Sequence, residues 1–508
     1  MKKLLLLGFI LFSIGAQAQT YTCGTIDDGS MMKRLEKNKA VIRNSLSLRD
    51  DSLEWFFIPI EFHIVSKSDG TGGVDENSIL DELAHVNDNY SGFKMKFYLA
   101  DQFNYIKSNS LYSDPGGTFG VSKIKSNKKK YPNAVNLFLV NDIGSGGSPG
   151  QVLGYYTPGL DVVVIRKTQF GINNQTASHE LGHFFSLQHP FYGWDADPYD
   201  PAKHGNPVKI KTIKYGNQTI QIELMDKSNC EVAADRLCDT PPDYNFGITD
   251  PEQDCKLNGP ILDYNHDTIV TMENNYMGYF FGCGQYEFTP MQIAAMRADY
   301  SSSDRDFLHV GIVPDTAKID PATFNIVFPS DKEKTEFYDY VDLDWDDMPN
   351  ATNYIVTISP ASQPQNAKKY FVTESHLLLT DLEKNKKYKW YVRPYSNAYT
   401  AVPKLGGYTF RSGDWTVGTY DLSDIKELNI YPNPVKNNEV YLSSNHEIKN
   451  AVLEIYSLSG SLVKKMNIDI YKGKNKLNLT HSNFEEGLYN FIIKSSDHNY
   501  IRKVFIEK

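Results

Sequence analysis

A chain of 508 residues with a formal net charge of −10 is long enough for three or four domains, each able to bury its own core. Hydrophobic residues make up 41% and aromatic residues 13%, which describes folded rather than disordered protein. No Lys/Arg cluster interleaves with aromatic residues, so nucleic acid is not expected as a partner.

Lys2 and Lys3 precede an apolar run from Leu4 to Ile14, followed by Ala16-Gln17-Ala18. This order reads as a secretory signal over 1–18, too short to serve as a membrane span. Cys23 lacks the preceding apolar residues of a lipoprotein signal, so no lipid anchor is expected. No later stretch approaches the roughly 18 apolar residues of a spanning helix, so the mature chain is expected to have no transmembrane segment. Five cysteines in an exported chain suggest two disulfides and one left over. Cys230, Cys238, Cys255 and Cys283 cluster and allow three pairings, whereas Cys23 stands alone.

Residues 19–50 are polar and rich in Lys and Arg without a core-forming period, which reads as a propeptide or flexible lead. Arg34, Arg43 and Arg49 are exposed cleavage candidates within it. FFIPIEFHIV from Phe56 is a buried strand. Ile79, Leu83, Val86 and Tyr90 then recur at helical spacing after acidic Asp75. KMKFYLAD from Lys94, AVNLFLVND from Ala134 and DVVVIRK from Asp161 are further strands.

HELGHFFSLQH, His179 to His189, follows them. On a helix, His179 and His183 present two imidazoles to one point, and Glu180 lies one step round, within reach of a water held there. Gly182 is costly in a helix interior, so something is expected to pack close against its backbone. His189 needs a sharp turn near Leu187 to arrive as a third ligand. Three histidines with one open position suit a catalytic Zn2+, and the adjacent carboxylate supplies a base.

Residues 190–250 read as loop, dense in Asp, Pro and Gly. Within them DRLCDTPPD, Asp235 to Asp243, gathers oxygen donors that suit Ca2+ or, equally on sequence alone, a solvated acidic loop. A second helix is expected from about Thr289. From about residue 315 the pattern becomes β: Tyr354, Val356 and Ile358 alternate, as do Tyr388, Trp390 and Val392, and Leu382 followed by Tyr388 resembles the tyrosine corner of fibronectin type III sandwiches. A third β-rich block runs from about 425, with turn signals at Pro432, Pro434, Ser459-Gly460 and Gly487.

HELGHFFSLQH followed by NNYMGY resembles the metzincins, and more narrowly the pappalysin-type (M43) metalloproteases, over roughly residues 20–305. The resemblance implies an α+β catalytic domain, a mixed twisted sheet plus active-site helix, followed here by two all-β sandwich domains. It implies His179, His183 and His189 as zinc ligands, Glu180 as general base acting on a zinc-held water, Met277 as the floor beneath the metal, and Tyr279 as oxyanion stabiliser. It makes Asp235 and Thr240 ligands of a structural calcium. Cys23-Gly24-Thr25 resembles a cysteine-switch segment, with Cys23 as fourth zinc ligand in a zymogen. Two departures stand out. Ser186 occupies a turn position usually held by Gly, at a cost of about 1 kcal/mol. Phe280, Phe281 and Gly282 occupy a segment that is acidic in some relatives, so apolar or mixed P1′ residues are expected unless the acidic 195–200 loop substitutes.

NIYPNPV, VLEIYSLSG, GLYNFIIKS and the final KVFIEK together resemble the sorting domain of the type IX secretion system. The organisation expected is therefore signal 1–18, propeptide 19–50, catalytic domain 51–310, fibronectin-like domain 316–415 and sorting domain 425–508. Such a chain is a secreted or cell-surface endopeptidase, exported through the periplasm, with protein or peptide substrates and the type IX secretion machinery as partners. The alternatives are a surface adhesin with a degenerate metal domain, and an acyl or amide hydrolase acting on a small substrate.

Overall fold

The computed structural model describes residues 21–45, 53–144, 151–171, 175–249, 254–414 and 428–507, apart from 433–434, 437–438, 445, 459, 480–483 and 496–498. The predicted leader and Arg49 lie outside them. The chain divides into two compact units, Met1–Thr316 and Ala317–Lys508.

The first unit contains, in order, β1 (Tyr21–Cys23), α1 (Ser30–Ser45), β2 (Phe56–Ser66), α2 (Glu76–Ser91), β3 (Met95–Leu99), β4 (Asn104–Lys107), α3 (Asn109–Ser113), α4 (Thr118–Lys128), β5 (Val135–Val140), β6 (Gln151–Thr157), β7 (Val162–Arg166), α5 (Thr176–Phe184), α6 (Pro201–His204), β8 (Thr212–Tyr215), β9 (Gln218–Gln221) and α7 (Pro290–Tyr300). A mixed sheet runs β1-β6-β7-β5-β2-β3, with β4 also paired to β2. All its pairings are parallel except β6 with β7. β2 and β5 are almost wholly buried because helices cover both faces of the sheet. On one face Phe138, Val140, Val162 and Val164 pack with Leu111 and Ile124 of α3 and α4.

α5 lies against β6, β7 and α2. The α2 stripe forms as the spacing dictates: Asp75 caps the helix by accepting from Asn77 N at 2.8 Å, and Ile79, Leu83, Val86 and Tyr90 are buried. Tyr90 then donates its hydroxyl to the Ser178 carbonyl at 2.8 Å, tying α2 to α5. α7 starts as expected after Thr289, with a capping box to Gln292 and Pro290 in the first turn.

Two segments differ from the sequence reading. Residues 30–45 are not a loose lead but the helix α1, which buries Met31, Met32, Leu35 and Ile42 and packs on α7. These positions keep one helical face, but interleaved Lys and Arg dilute the apolar signal. Arg34, read as exposed, is largely covered; Arg43 is exposed but lies within α1. The 190–250 loop also holds α6 and the β8–β9 hairpin, elements of four residues each and too short for periodicity to reveal.

The second unit is all β: β10 (Ile326–Phe328), β11 (Val341–Trp345), β12 (Asn353–Pro360), β13 (Lys368–Val372), β14 (His376–Leu379), β15 (Lys387–Tyr395), β16 (Leu405–Arg411), β17 (Leu428–Tyr431), β18 (Val435–Lys436), β19 (Glu439–Ser444), β20 (Ile448–Ser457), β21 (Leu462–Ile470), β22 (Gly473–Asn478), β23 (Gly487–Lys494) and β24 (Asn499–Glu507). Sheets β10-β11-β14 and β13-β12-β15-β16 enclose Trp345, Val356, Trp390 and Phe410. Tyr388 accepts Glu383 N at 2.8 Å, so the tyrosine does form a corner. Sheets β17-β19-β22 and β18-β24-β23-β20-β21 enclose a separate core around Leu442, Leu453, Phe491 and Val504. Among the described residues no helix is long and apolar enough to cross a membrane.

Candidate metal centre

α5 ends at Phe184 because the chain turns left-handed at Ser186, whose φ is 71°. Ser186 N donates to the His183 carbonyl at 2.9 Å and Leu187 N to the Gly182 carbonyl at 3.0 Å, the two bonds of a Schellman cap. That turn swings His189 back over the helix. The three Nε2 atoms of His179, His183 and His189 lie 3.1, 3.1 and 3.3 Å apart.

Each Nδ1 is engaged on the far side of its ring. His179 donates to the Tyr276 carbonyl at 2.7 Å and His183 to the Leu187 carbonyl at 2.8 Å. His189 faces the Asp195 carboxylate at 2.6 Å. These partners assign the Nδ1–H tautomer to all three rings and leave three bare nitrogens converging on one point. Burial holds His179 down to about 3 and His183 well below the ordinary imidazole value, so neither carries a proton there as a cation. Three lone pairs this close repel unless a cation sits between them. Tetrahedral Zn2+ at roughly 2.0–2.1 Å from each nitrogen needs them about 3.3 Å apart, so the residues fit that ion.

Cys23 brings its sulfur to the same point: one ligand atom from each of Cys23, His179, His183 and His189 lies within 4.8 Å of all the others. Cys23 is the free cysteine, since Cys230 pairs with Cys238 and Cys255 with Cys283. β1 delivers it by adding to the edge of the sheet beside β6, and Gly24 N donates to the Gly154 carbonyl at 2.8 Å. A Cβ on Gly24 would stand 2.8 Å from Val152 Cγ1, so the approach requires glycine.

The same segment occupies the other groups of the site. Cys23 N donates to the Tyr279 hydroxyl at 3.0 Å, and that hydroxyl lies 3.2 Å from the Cys23 carbonyl. Thr25 Oγ1 donates to Glu180 Oε2 at 3.1 Å and accepts Tyr156 N at 2.8 Å. Cys23 Sγ lies 3.5 Å from the same Oε2. Burial pushes the Glu180 carboxyl up to about 8, while the Cys23 and Thr25 contacts pull it back. Met277 is fully buried, and a Cβ on Gly182 would lie 2.6 Å from its sulfur; the close packing expected at Gly182 is this thioether.

A buried ionic network backs the turn. Ser186 Oγ donates to Asp299 Oδ1 at 2.8 Å and accepts Arg34 Nε at 2.8 Å. Arg305 Nε meets Asp299 Oδ2 at 2.9 Å, and Arg305 also reaches Asp161 at 2.7 Å. Gln188 Nε2 donates to Asp27 Oδ2 at 2.7 Å. The N-terminal segment is thus tied to the residues on both sides of Leu187.

Asp235 and Thr240 also meet: the Thr240 hydroxyl lies 2.9 and 3.0 Å from the Asp235 carboxylate oxygens. Glu223, absent from the sequence reading, is buried beside them, and among the described residues neither of its carboxylate oxygens has a hydrogen-bond partner. Burial raises both carboxyls above the ordinary range, and repulsion adds to it, from Asp235 on Glu223 and from Asp239 on Asp235. Two buried acids and a hydroxyl fit a hard cation. Asp239 does not join them; it accepts Thr289 Oγ1 and Met291 N at 2.8 and 2.7 Å, at the start of α7.

Sequence reasoning missed Glu223 altogether, and missed the contacts of Thr25 with Glu180, Arg34 with Ser186 and Asp195 with His189. Asp195 had a signal, the acidic 195–200 loop, but its partner is His189.

Residues 429–507 match the family described as "Secretion system C-terminal sorting domain". The chain is a secreted or cell-surface protein. It is similar to an extracellular metalloprotease of Colletotrichum graminicola, 23% identical over 256 residues, 47% of this chain and 74% of the relative. Among solved structures, a point mutant of Tannerella forsythia promirolysin is similar at 17% identity over 57% of this chain and 97% of that one, with a TM-score of 0.33. Dimeric latent PorU of Porphyromonas gingivalis is similar at 14% identity over 37% of this chain and 20% of that one, with a TM-score of 0.17.

Proposed function

We propose that this protein is a zinc-dependent endopeptidase made as a zymogen, with residues 19–50 as propeptide and the C-terminal β-domain as the address read by a type IX secretion system. The observation that carries the reading is the convergence of three bare histidine nitrogens and one cysteine sulfur on a single point beside Glu180. His179, His183 and His189 would hold the zinc, which when bound supplies Lewis acidity at the scissile carbonyl. Glu180 takes the proton of the attacking water and passes it to the leaving amine. Tyr279, freed from Cys23, turns its hydroxyl to the developing oxyanion. Met277 supports α5 from below through Gly182.

Latency follows from the same contacts. Cys23 fills the position that water needs, Thr25 holds the base, and the Cys23 backbone holds Tyr279. Asp235, Thr240 and Glu223 would hold a structural calcium. Beside His179 and Glu180, a pocket lined by Thr176, Tyr276, Phe280, Phe281 and Tyr286 has, among the described residues, no carboxylate other than Glu180, which favours an apolar P1′ side chain over Arg or Lys.

Glu180→Gln tests the reading, because the base lies beside the metal rather than on it. With the propeptide removed from both, the variant should retain one equivalent of zinc and lose the cleavage of a mixed peptide library that the parent shows. Unchanged cleavage, or zinc lost from a folded variant, overturns the assignment. The activated parent's cleavage profile in the same library reads out P1′, and dominance of Arg or Lys there contradicts the apolar pocket.

A further inference from the structure

The three histidines are not held alike. His179 and His183 sit on α5, and each has its Nδ1 fixed by a backbone carbonyl. His189 lies beyond the turn, outside the helix, and its Nδ1 meets a side-chain carboxylate instead, Asp195 Oδ1 at 2.6 Å. The other oxygen, Oδ2, accepts Gly193 N at 2.9 Å, so the carboxylate is clamped at both ends.

The loop presenting it is itself rigid. Trp194 is buried, stacks on Tyr244 with centroids 4.9 Å apart, and donates its backbone N to the Phe191 carbonyl at 2.8 Å. Gly193 has a φ of +108°, and a Cβ there would stand 2.8 Å from Ile213 Cγ2 of the β8–β9 hairpin. Phe191 covers the His189 ring face, 4.5 Å away and nearly parallel. His189 is therefore oriented on its face by Phe191 and on its edge by Asp195.

We infer that Asp195 is a positioning residue of the metal centre, fixing the His189 tautomer and holding its ring so that Nε2 faces the ion. A carboxylate behind a ligating imidazole has this effect in metal sites generally, and its loss weakens metal binding by roughly 10–100-fold. The inference rests on the zinc reading above and concerns affinity rather than chemistry. If Asp195 only braced its loop through Gly193, an isosteric amide would serve as well. Asparagine has a single carbonyl oxygen. With that oxygen on Gly193 N, its NH2 faces His189 Nδ1 and favours the tautomer protonated at Nε2, which cannot ligate.

The experiment uses the full chain and its Asp195→Asn and Asp195→Ala variants. Zn2+ affinity is measured by competition with a fluorescent chelator, coordination by the visible spectrum of the Co2+-loaded protein, and folding by the thermal midpoint of the metal-free form. Both variants should bind Zn2+ about 10–100-fold more weakly with an altered Co2+ spectrum, and the Asn variant should keep the parent's metal-free midpoint. Zn2+ binding by Asp195→Asn within twofold of the parent, with an unchanged spectrum, overturns the inference. Should the Ala variant not fold, the Asn variant alone decides. A parent that binds no Zn2+ overturns the metal reading and this inference together, whereas a zinc-binding parent with unaffected variants overturns this inference only.

Discussion

Ser186 is where two opposed effects can be weighed. Its φ of 71° carries a strain of about 1 kcal/mol that glycine would relieve. Against this, its buried hydroxyl joins two ionised partners, Asp299 Oδ1 and Arg34 Nε, each at 2.8 Å. Hydrogen bonds to charged groups contribute about 1.5–3 kcal/mol, and the low end applies because Arg34 also meets Asp299 directly, at 3.3 Å, through a contact that does not run by way of the serine. Glycine also adds about 0.5–1 kcal/mol of unfolded-chain entropy. The hydrogen bonds should win: Ser186→Gly is expected to destabilise the site by about 1–2 kcal/mol, and Ser186→Ala, which keeps the strain, by at least as much. Because the chain has two units, the readout is native-state hydrogen exchange at the Ser186 and Leu187 amides, which close the turn, alongside urea unfolding. Arg34→Met in the serine and glycine backgrounds should show coupling of about 1 kcal/mol. A glycine variant as stable as the parent, with equal or slower exchange, would show that strain dominates and that the network does not support the turn.

Cys23→Ala should convert the precursor to a form that cleaves peptides without an added protease; a folded variant as latent as the parent would clear Cys23 of the role. Chelating Ca2+ while replenishing Zn2+ should lower the melting temperature of the parent but not of Glu223→Gln/Asp235→Asn, and equal shifts in both would remove calcium from that cluster. In the second unit, Lys465, Lys494 and Tyr456 surround Glu454 at 2.7, 2.8 and 2.8 Å and hold its carboxyl down to about 2. A depressed folded pKa means stability present above the unfolded value near 4.5 and lost as pH falls toward 2. Discounted for the exposed Lys465, this is about 1–2 kcal/mol. Thermal unfolding of parent and Glu454→Gln from pH 7 to pH 2 should show a gap that closes below about pH 4; a constant gap contradicts the assignment.

The elements legible from sequence are those whose cause is local. The α2 stripe, the strands of the first sheet and the capping box of α7 each follow from spacing within a dozen residues. The pairing of His179 with His183 is of the same kind, since helix geometry alone sets residues four apart on one face. The alternation around Trp390 likewise foretold the β-rich second unit. α1 was missed although its cause is also local, because four apolar positions among many charged ones resemble a solvated segment until α7 is there to cover them.

What only the tertiary structure decided are the partners brought together across long separations. Nothing near Cys23 in the chain shows that Thr25 lies on Glu180, 155 residues away, because that contact depends on β1 joining the sheet edge beside α5. The same holds for Arg34 with Ser186 and for Glu223 beside Asp235. Asp195 is only six residues from His189, yet its role depends on a turn whose geometry is set by a hairpin downstream. The sequence by itself determined which residues could bind a metal, because donor chemistry and helical spacing are properties of short segments. Only the fold decided what stands behind each ligand and what covers it, because hydrogen-bond partners are chosen by packing rather than by proximity along the chain.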